Sequence, residues 1–582
     1  MNLGNHVLRR IRGLLPCVLL AAAPLWGQAS LASNWVNGFQ MAAVIHAATG
    51  IPVDNTTPAE PGETLIVQGS GFWNGVQVLV AGSAVDTTVL DDNDAQITLP
   101  ASAGGSFLEI AAQNADGSVG PAAVVPVDAP FDSTQLAAAE VDSLVTNAAL
   151  ASDAPGLAIA IVDRAGRILA IYRRPATTDA GVEKALSLAR TGAFFSSQGT
   201  PLSSRTVGYI SQPNFPVGIP NQPSGPLFGI ANTNRGCSFN VTFLPGQLLP
   251  QLQNAAGAGY GQGMATVPGG LTLFRGGVTV VGGIGIAFAG SDDADEYVAV
   301  AASQTAGFFV QLPLPNPGAV YLNGIRLPFI NSGPPAGVRA AGSPGGAYQI
   351  APLNGQPAPE GWLMGPLNGS ALSSSDVNAI VQSAIDTANL TRAQIRLPEG
   401  SRARMVIAVS DLDGTILGIY RMPDSPVFSI DVAVTKSRNV VYFSGPNRDP
   451  RDLPGVPIGA AVTNRTIGFG SQPYFPSGIW NTKPGPFAPM YAADTANPCT
   501  QGNQPANPNQ SGIVFFPGSA PLYRGGQLVG GLGVSGDGVD QDDFVTSFGA
   551  AGFLAPANIR ADQIFIRGIR LPYWSFPRNP EQ

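Results

Sequence analysis

The chain carries the same domain twice, and that limits its fold more than any other feature. Asp163–Pro175 (DRAGRILAIYRRP) is matched by Asp411–Pro423 (DLDGTILGIYRMP), and Ala189–Ser196 (ARTGAFFS) by Ser437–Ser444 (SRNVVYFS). Arg205–Ile219 (RTVGYISQPNFPVGI) is matched by Arg465–Ile479 (RTIGFGSQPYFPSGI), and the copies close with Gly324–Phe329 (GIRLPF) and Gly568–Tyr573 (GIRLPY). The spacing between matches widens after Ser444, which puts an insertion in the polar, Pro-rich stretch Pro446–Gly459. Units of about 200 residues are duplicated domains, not a solenoid of short repeats.

Each copy holds one dense motif. RGGQLVGGLGVSGDGVDQDDF (Arg524–Phe544) has a degenerate twin in RGGVTVVGGIGIAFAGSDDADEY (Arg275–Tyr297). The pattern predicts a turn, a strand, a Gly-rich turn and a helix. Helices are expected at Gln135–Ala149, capped by Asp132 or Ser133, and at Val182–Phe195 and Glu296–Gly307 in the first copy. In the second they are expected at Ser374–Asn389, Ile430–Phe443 and Phe544–Phe553. The hairpins Leu157–Tyr172 and Met405–Tyr420 turn at Asp-x-x-Gly. Helices mixed with hairpins indicate α+β domains with mostly antiparallel sheets.

Ahead of the copies, Pro61–Val127 reads as short strands punctuated by Gly, Asp and Asn, a small β-sandwich. GETLIVQGSGF, the Val78–Gly82 strand and turn, and the QNADG turn resemble the TIG (IPT) immunoglobulin-like family. The resemblance implies a spacer or binding module. The N-terminus reads as a secretory signal: Arg9, Arg10 and Arg12, then the short apolar run Leu14–Ala23, then small-x-small cleavage sites. No later stretch reads as a membrane span. The organisation expected is a signal at 1–29, a TIG-like sandwich at 55–128, repeat 1 at 132–330, a Pro/Gly-rich connector at 331–370, and repeat 2 at 371–575. The product is expected to be extracytoplasmic, periplasmic or secreted.

The formal charge of −8 argues against nucleic acid, which selects basic faces. Cys237 and Cys499 follow the shared SQP…FP…GI segment at similar distances. They could pair across the repeats in an oxidising compartment, or remain separate thiols. His46 is the one histidine beyond the signal, and its apolar neighbours suit a structural role. That count argues against a zinc site and a Ser-His triad.

FSIDVAVTKSRNVVYFS (Phe428–Ser444), PLYRGGQLVGGLGVSGDGVDQDD (Pro521–Asp543) and VSDLDGTILGIYR (Val409–Arg421) together resemble the GlcG/HbpS-like haem-binding family. The match covers both repeats and is closer in the second. It implies a profilin-like α/β fold, oligomerisation, and binding of haem or a related small molecule. Repeat 1 departs from the pattern: Leu188 stands where repeat 2 has Lys436, and Ala287 and Phe288 where it has Ser535 and Gly536. The expectation is therefore a homo-oligomer or an intramolecular pseudo-dimer with one working site, in repeat 2.

For a haem site the candidates are Lys436, Arg438, Tyr420, Arg524, Gly525, Gly526 and Ser535. Arg524 with Gly525 and Gly526 offers a cation and open N–H groups for a carboxylate. Lys436 and Arg438, two apart on a helix, diverge by about 200° and cannot serve one ligand unaided. Tyr420 and Met422 are the axial alternatives where histidine is missing. Against these stand ion pairs of Arg438 or Arg524 with Asp411, Asp542 or Asp543. Gly531–Gly536 (GLGVSG) is a formal dinucleotide fingerprint, but the acids after it would repel a pyrophosphate. The acids of Asp537–Asp543 lack EF-hand spacing. Asp411 and Asp413 resemble the first motif of haloacid-dehalogenase phosphatases, but the twin, Asp163-Arg164-Ala165-Gly166, loses the second Asp. Three functions follow: a binder of haem or a related cofactor; a structural or adhesive surface protein; and a weak haem-degrading or hydrolytic enzyme using Asp411, Asp413 and Lys436.

Overall fold

The computed structural model describes residues 40–239 and 263–580, apart from 54–56, 58, 73–74, 81–82, 101–106, 114–122, 128–133, 311–318, 332–333, 336–337 and 481. The signal, the QNADG turn beyond Gln113, and the caps Asp132 and Ser133 lie outside these residues.

Among the described residues, eight strands form the N-terminal module: β1 (Gln40–His46), β2 (Thr64–Ser70), β3 (Gln77–Val80), β4 (Ser83–Ala84), β5 (Thr87–Val89), β6 (Asp94–Thr98), β7 (Phe107–Gln113) and β8 (Ala123–Pro126). They make two four-stranded antiparallel sheets, β1-β2-β6-β5 and β4-β3-β7-β8. Leu65, Val67, Phe72, Val78 and Ile97 fill the core between them. Gly71 (φ +86°) makes the turn that sends the Phe72 ring inward. His46 is structural, as expected: Nδ1 lies 2.6 Å from Glu63 Oε1 and Nε2 3.0 Å from the Thr57 carbonyl.

Repeat 1 contains α1 (Ala138–Leu150), β9 (Ala158–Asp163), β10 (Ile168–Arg173), α2 (Asp179–Phe195), α3 (Ser204–Ile210), β11 (Gly270–Arg275), β12 (Thr279–Ala287) and α4 (Asp292–Thr305), then a small hairpin, β13 (Tyr321–Leu322) and β14 (Ile325–Arg326). Next come β15 (Ala347–Ile350) and β16 (Gly361–Met364). Repeat 2 contains α5 (Ser374–Leu390), β17 (Met405–Ser410), β18 (Ile416–Arg421), α6 (Ser429–Ser444), α7 (Asn464–Ser471), α8 (Ala488–Ala496), β19 (Ser519–Arg524), β20 (Gln527–Gly536) and α9 (Val539–Gly549), closing with β21 (Phe565–Ile566) and β22 (Ile569–Arg570). The two five-stranded sheets share one order, β11-β12-β9-β10-β15 and β19-β20-β17-β18-β16, and every pairing is antiparallel.

One sheet face carries α1 and α4, or α5 and α9. The other carries α2 or α6, and these inner layers share a single apolar core in which Phe195 stacks on Phe428 with ring centroids 4.1 Å apart. Helices on both faces explain why AIAIVD and MVIAVS are buried throughout instead of alternating. They also explain why every residue of α6 is buried, including Lys436 and Arg438.

Several expectations are corrected. The paired glycines form no turn; they lie inside β12 and β20. A Cβ on Gly533 would come within 2.0 Å of the Ala433 carbonyl oxygen, and one on Gly285 within 1.9 Å of that of Ala185. The glycines let α6 and α2 lie directly on the strands. Gly533→Ala is expected to lower stability by about 1–3 kcal/mol through overpacking. Urea unfolding checks this, and a loss under about 0.5 kcal/mol would mean the helix can shift away. Within the Pro/Gly-rich stretch between the copies, β15 and β16 each add an edge strand to one sheet, which its composition did not suggest. α1 begins at Ala138, three residues later than expected, where Glu140 accepts from the Ala137 N–H. The last helix begins at Val539, five residues earlier than expected, so the acids fill its first turn.

The repeats are also tied covalently, by the disulfide Cys237–Cys499, whose Cα atoms are 5.3 Å apart. Around it, Asn232 donates to Asp494 at 3.0 Å and Phe228 stacks on Tyr491. Burial pushes Asp494 up to about 7 and Asp431 up to about 6. Folded chains therefore keep protons that unfolded chains release near pH 4, so this stabilisation is lost as pH rises through 6–7. The melting temperature is expected to be higher at pH 5.5 than at pH 8, and Asp494→Asn to flatten that slope. An unchanged slope would rule out Asp494 as the source.

Candidate functional site

The motifs shared by the copies are spent largely on anchoring. Thr466 Oγ1 donates to the Pro572 carbonyl at 2.7 Å, and Thr206 does the same to Pro328, so each closing GIRLP segment is fastened to α7 or α3. Arg465 pairs with Asp540 and Asp543, and Arg205 with Asp293 and Glu296. The acids thus hold the Arg of the RTIGF and RTVGY segments, which the sequence reading had not singled out.

The candidate site residues do not converge. Arg524, Gly525 and Gly526 form the tip of the β19–β20 hairpin, where half-exposed Arg524 pairs with Asp376 at 2.8 Å and donates to the Ala371 carbonyl. Ser535 lies at the other end of β20, about 30 Å along the strand. Tyr420 is on the outer sheet face, edge-on to Trp362. Ser535 faces inward, 3.0 Å from Ser429 Oγ. Arg438 turns towards repeat 1, donating to the Ser238 and Gly414 carbonyls beside the Phe239 ring. Burial lowers its pKa to about 10. Lys436 Nζ donates to the Val534 carbonyl at 2.7 Å and to Asp542 at 2.9 Å. Burial moves both members of that pair towards neutrality, Lys436 down and Asp542 up.

Asp411 and Asp413 are turn formers. Asp411 accepts from the Ser370 N–H and hydroxyl, and Asp413 from the Thr415 N–H and hydroxyl. Asp411 is occupied by Ser370 ahead of α5 and Asp413 by the hairpin turn itself, so neither carboxylate is set up as half of a nucleophile–acid pair.

A small, partly open cleft lies where the two repeats meet at the start of α9. Ile210, Pro226, Leu227, Leu322 and Asn323 of repeat 1 make one wall. Phe428, Phe516, Ile395 and Val539 of repeat 2 make the apolar part of the other. Gln394, Gln541 and Ser535 are polar points on it, and Asp540 and Asp542 border it. Of the sequence candidates, Ser535 lines this cleft and Lys436 sits behind it, its Nζ 5.1 Å from the Phe516 ring centroid.

Repeat 1 treats the matching place differently. Phe288 (φ +62°) lays its ring over the first turn of α2, where a Cβ on Gly181 would meet it at 2.7 Å. The residues at these two positions in repeat 2 are Gly536 and Ser429, beside the cleft. Phe288 thus places a half-exposed ring over α2 where repeat 2 has only a glycine. The charge lost at Leu188 is replaced from one helical turn earlier: Lys184 pairs with Asp292 and Asp295 and lies 5.3 Å from the Phe288 ring centroid.

The family model described as haem degrading protein HbpS-like matches residues 134–304 and again 372–551, and the IPT/TIG domain model matches residues 51–124. The corrinoid adenosyltransferase PduO of Salmonella typhimurium is 25% identical over 169 residues, 29% of this chain and 38% of that protein, so well under half of that relative is spanned. Among solved structures, a PduOC–haem complex is 21% identical and covers 31% of this chain and 95% of its own, with a TM-score of 0.20. The Klebsiella pneumoniae protein ORFY is 16% identical, covering 32% of this chain and 94% of its own, also with a TM-score of 0.20.

Proposed function

Because the chain belongs to the HbpS-like family of haem-degrading proteins, we propose that it binds haem, or a closely related planar macrocycle, in the cleft between its repeats. The observation that carries this reading is the cleft's construction: two phenylalanines and a set of aliphatic side chains on opposed walls, one from each repeat. The lining fits a flat apolar body. Among the described residues no His, Cys, Tyr or Met side chain lines it, so they supply no iron ligand there. Binding then rests on shape and apolar contact, with one ligand per chain. Repeat 1 acts as a partner that supplies a wall, so the duplication does the work of a homodimer. The disulfide supports an oxidising, extracytoplasmic setting, and the TIG module acts as a spacer or attachment domain.

The test is a haemin titration of the full chain followed by absorbance, beside Val539→Trp and Arg524→Ala. Val539 is half-buried at the cleft, so tryptophan there is expected to obstruct entry and weaken binding at least tenfold, about 1.4 kcal/mol. Arg524, at the far hairpin tip, is expected to be silent. The haem assignment fails if no saturable Soret change appears at micromolar protein. The site lies elsewhere if Val539→Trp binds normally.

A further inference from the structure

We propose that the cleft receives the uncharged edge of its ligand, so that it selects a planar macrocycle by a neutral, hydrogen-bonding rim and leaves any carboxylates in solvent. This rests on the proposed function and adds the chemical class of the bound edge. Three carboxamides from three separate elements reach the cleft: Asn323 from the β13–β14 turn, Gln394 from the segment after α5, and Gln541 from the first turn of α9. Gln541 Oε1 is buried and has no hydrogen-bond partner among the described residues, so it asks for an N–H or O–H donor. Among the described residues no Lys or Arg lines the cleft. The cations behind it are already committed, Lys436 to Asp542 and Arg465 to Asp540 and Asp543.

Those three carboxylates outnumber the two cations. They also answer the positive end of α9, so a carboxylate entering the cleft would meet net negative charge while losing its water. A neutral edge bearing amide, ester or N–H groups loses far less on entry and gains the three carboxamides as partners.

The experiment compares haemin with its dimethyl ester, titrated into the full chain and into Gln394→Lys. Gln394 is half-buried, so lysine there adds a cation without disturbing the core. The ester is expected to bind within threefold of haemin or more tightly, and Gln394→Lys, which removes one of the three carboxamide partners, to weaken haemin by at least threefold. The proposal is overturned if esterification weakens binding by more than threefold, or if Gln394→Lys tightens haemin by more than threefold, because either shows the cleft reading a carboxylate. Binding of neither porphyrin would remove the underlying reading, and the proposal with it.

Discussion

Asp424→Asn is expected to destabilise the folded chain by about 3–5 kcal/mol, the cost of breaking a buried ion pair from one side. Asp424 is buried between the repeats. One oxygen accepts from Arg164 of repeat 1 at 2.7 Å; the other accepts from Arg396 of repeat 2 at 2.6 Å and from the Gln198 N–H at 3.0 Å. Burial works against its charge, yet the two guanidiniums outweigh it and hold the carboxyl below the usual range. Arg396 keeps a second carboxylate, Asp537, whereas Arg164 has no other carboxylate partner among its ion pairs. Asparagine tolerates the left-handed backbone at this position (φ +55°), so the change isolates the charge. Because the folded pKa is depressed, the stabilisation is present above about pH 4 and disappears as pH falls below it. Chemical denaturation at pH 7 and pH 3 checks both statements. A loss below about 1 kcal/mol at pH 7 would mean that water or another group replaces the carboxylate.

Removing the disulfide is the second large effect. The bond closes a loop of 262 residues between the repeats, so its loss frees the unfolded chain substantially. Cys237→Ser with Cys499→Ser is expected to cost about 2–5 kcal/mol. The native chain should melt lower under strong reductant, while the double variant should be indifferent to it. If reductant lowers both equally, the effect belongs to something other than this bond. The repeats would then stay associated through the Phe195–Phe428 core and the Arg164–Asp424 and Asn232–Asp494 contacts.

Much of this architecture was legible in the sequence because duplication lets each copy check the other. The hairpins at Asp163 and Asp411 and the helices α2, α5 and α6 follow from matched patterns, and the near-equivalence of Cys237 and Cys499 suggested their pairing. The glycine pairs were misread for a physical reason. A glycine needed for a turn and one needed for helix contact look alike in one dimension, and only the 2.1 Å approach of the Ser437 oxygen to a Cβ on Gly531 tells them apart. β15 and β16 were missed because an edge strand four residues long, set among Pro and Gly, has no room to show a period. The cleft escaped for another reason. Leu227 and Asn323 meet Gln394 and Gln541 only because two domains fold against each other, and no motif records that contact. The phenylalanine at position 288 did carry a signal, as a departure from the copy, and its meaning became plain once its ring was seen over Gly181.

The central claim is that one cleft, built from both repeats, holds one planar ligand. The most direct measurement is the stoichiometry of haemin binding to the full chain, read by absorbance at protein concentrations well above the dissociation constant. Saturation at one haemin per chain, abolished or weakened at least tenfold by Val539→Trp, is the predicted result. Saturation at two per chain would contradict a single site shared by the repeats. An unsaturable signal, or one indifferent to Val539→Trp, would contradict the cleft as the site.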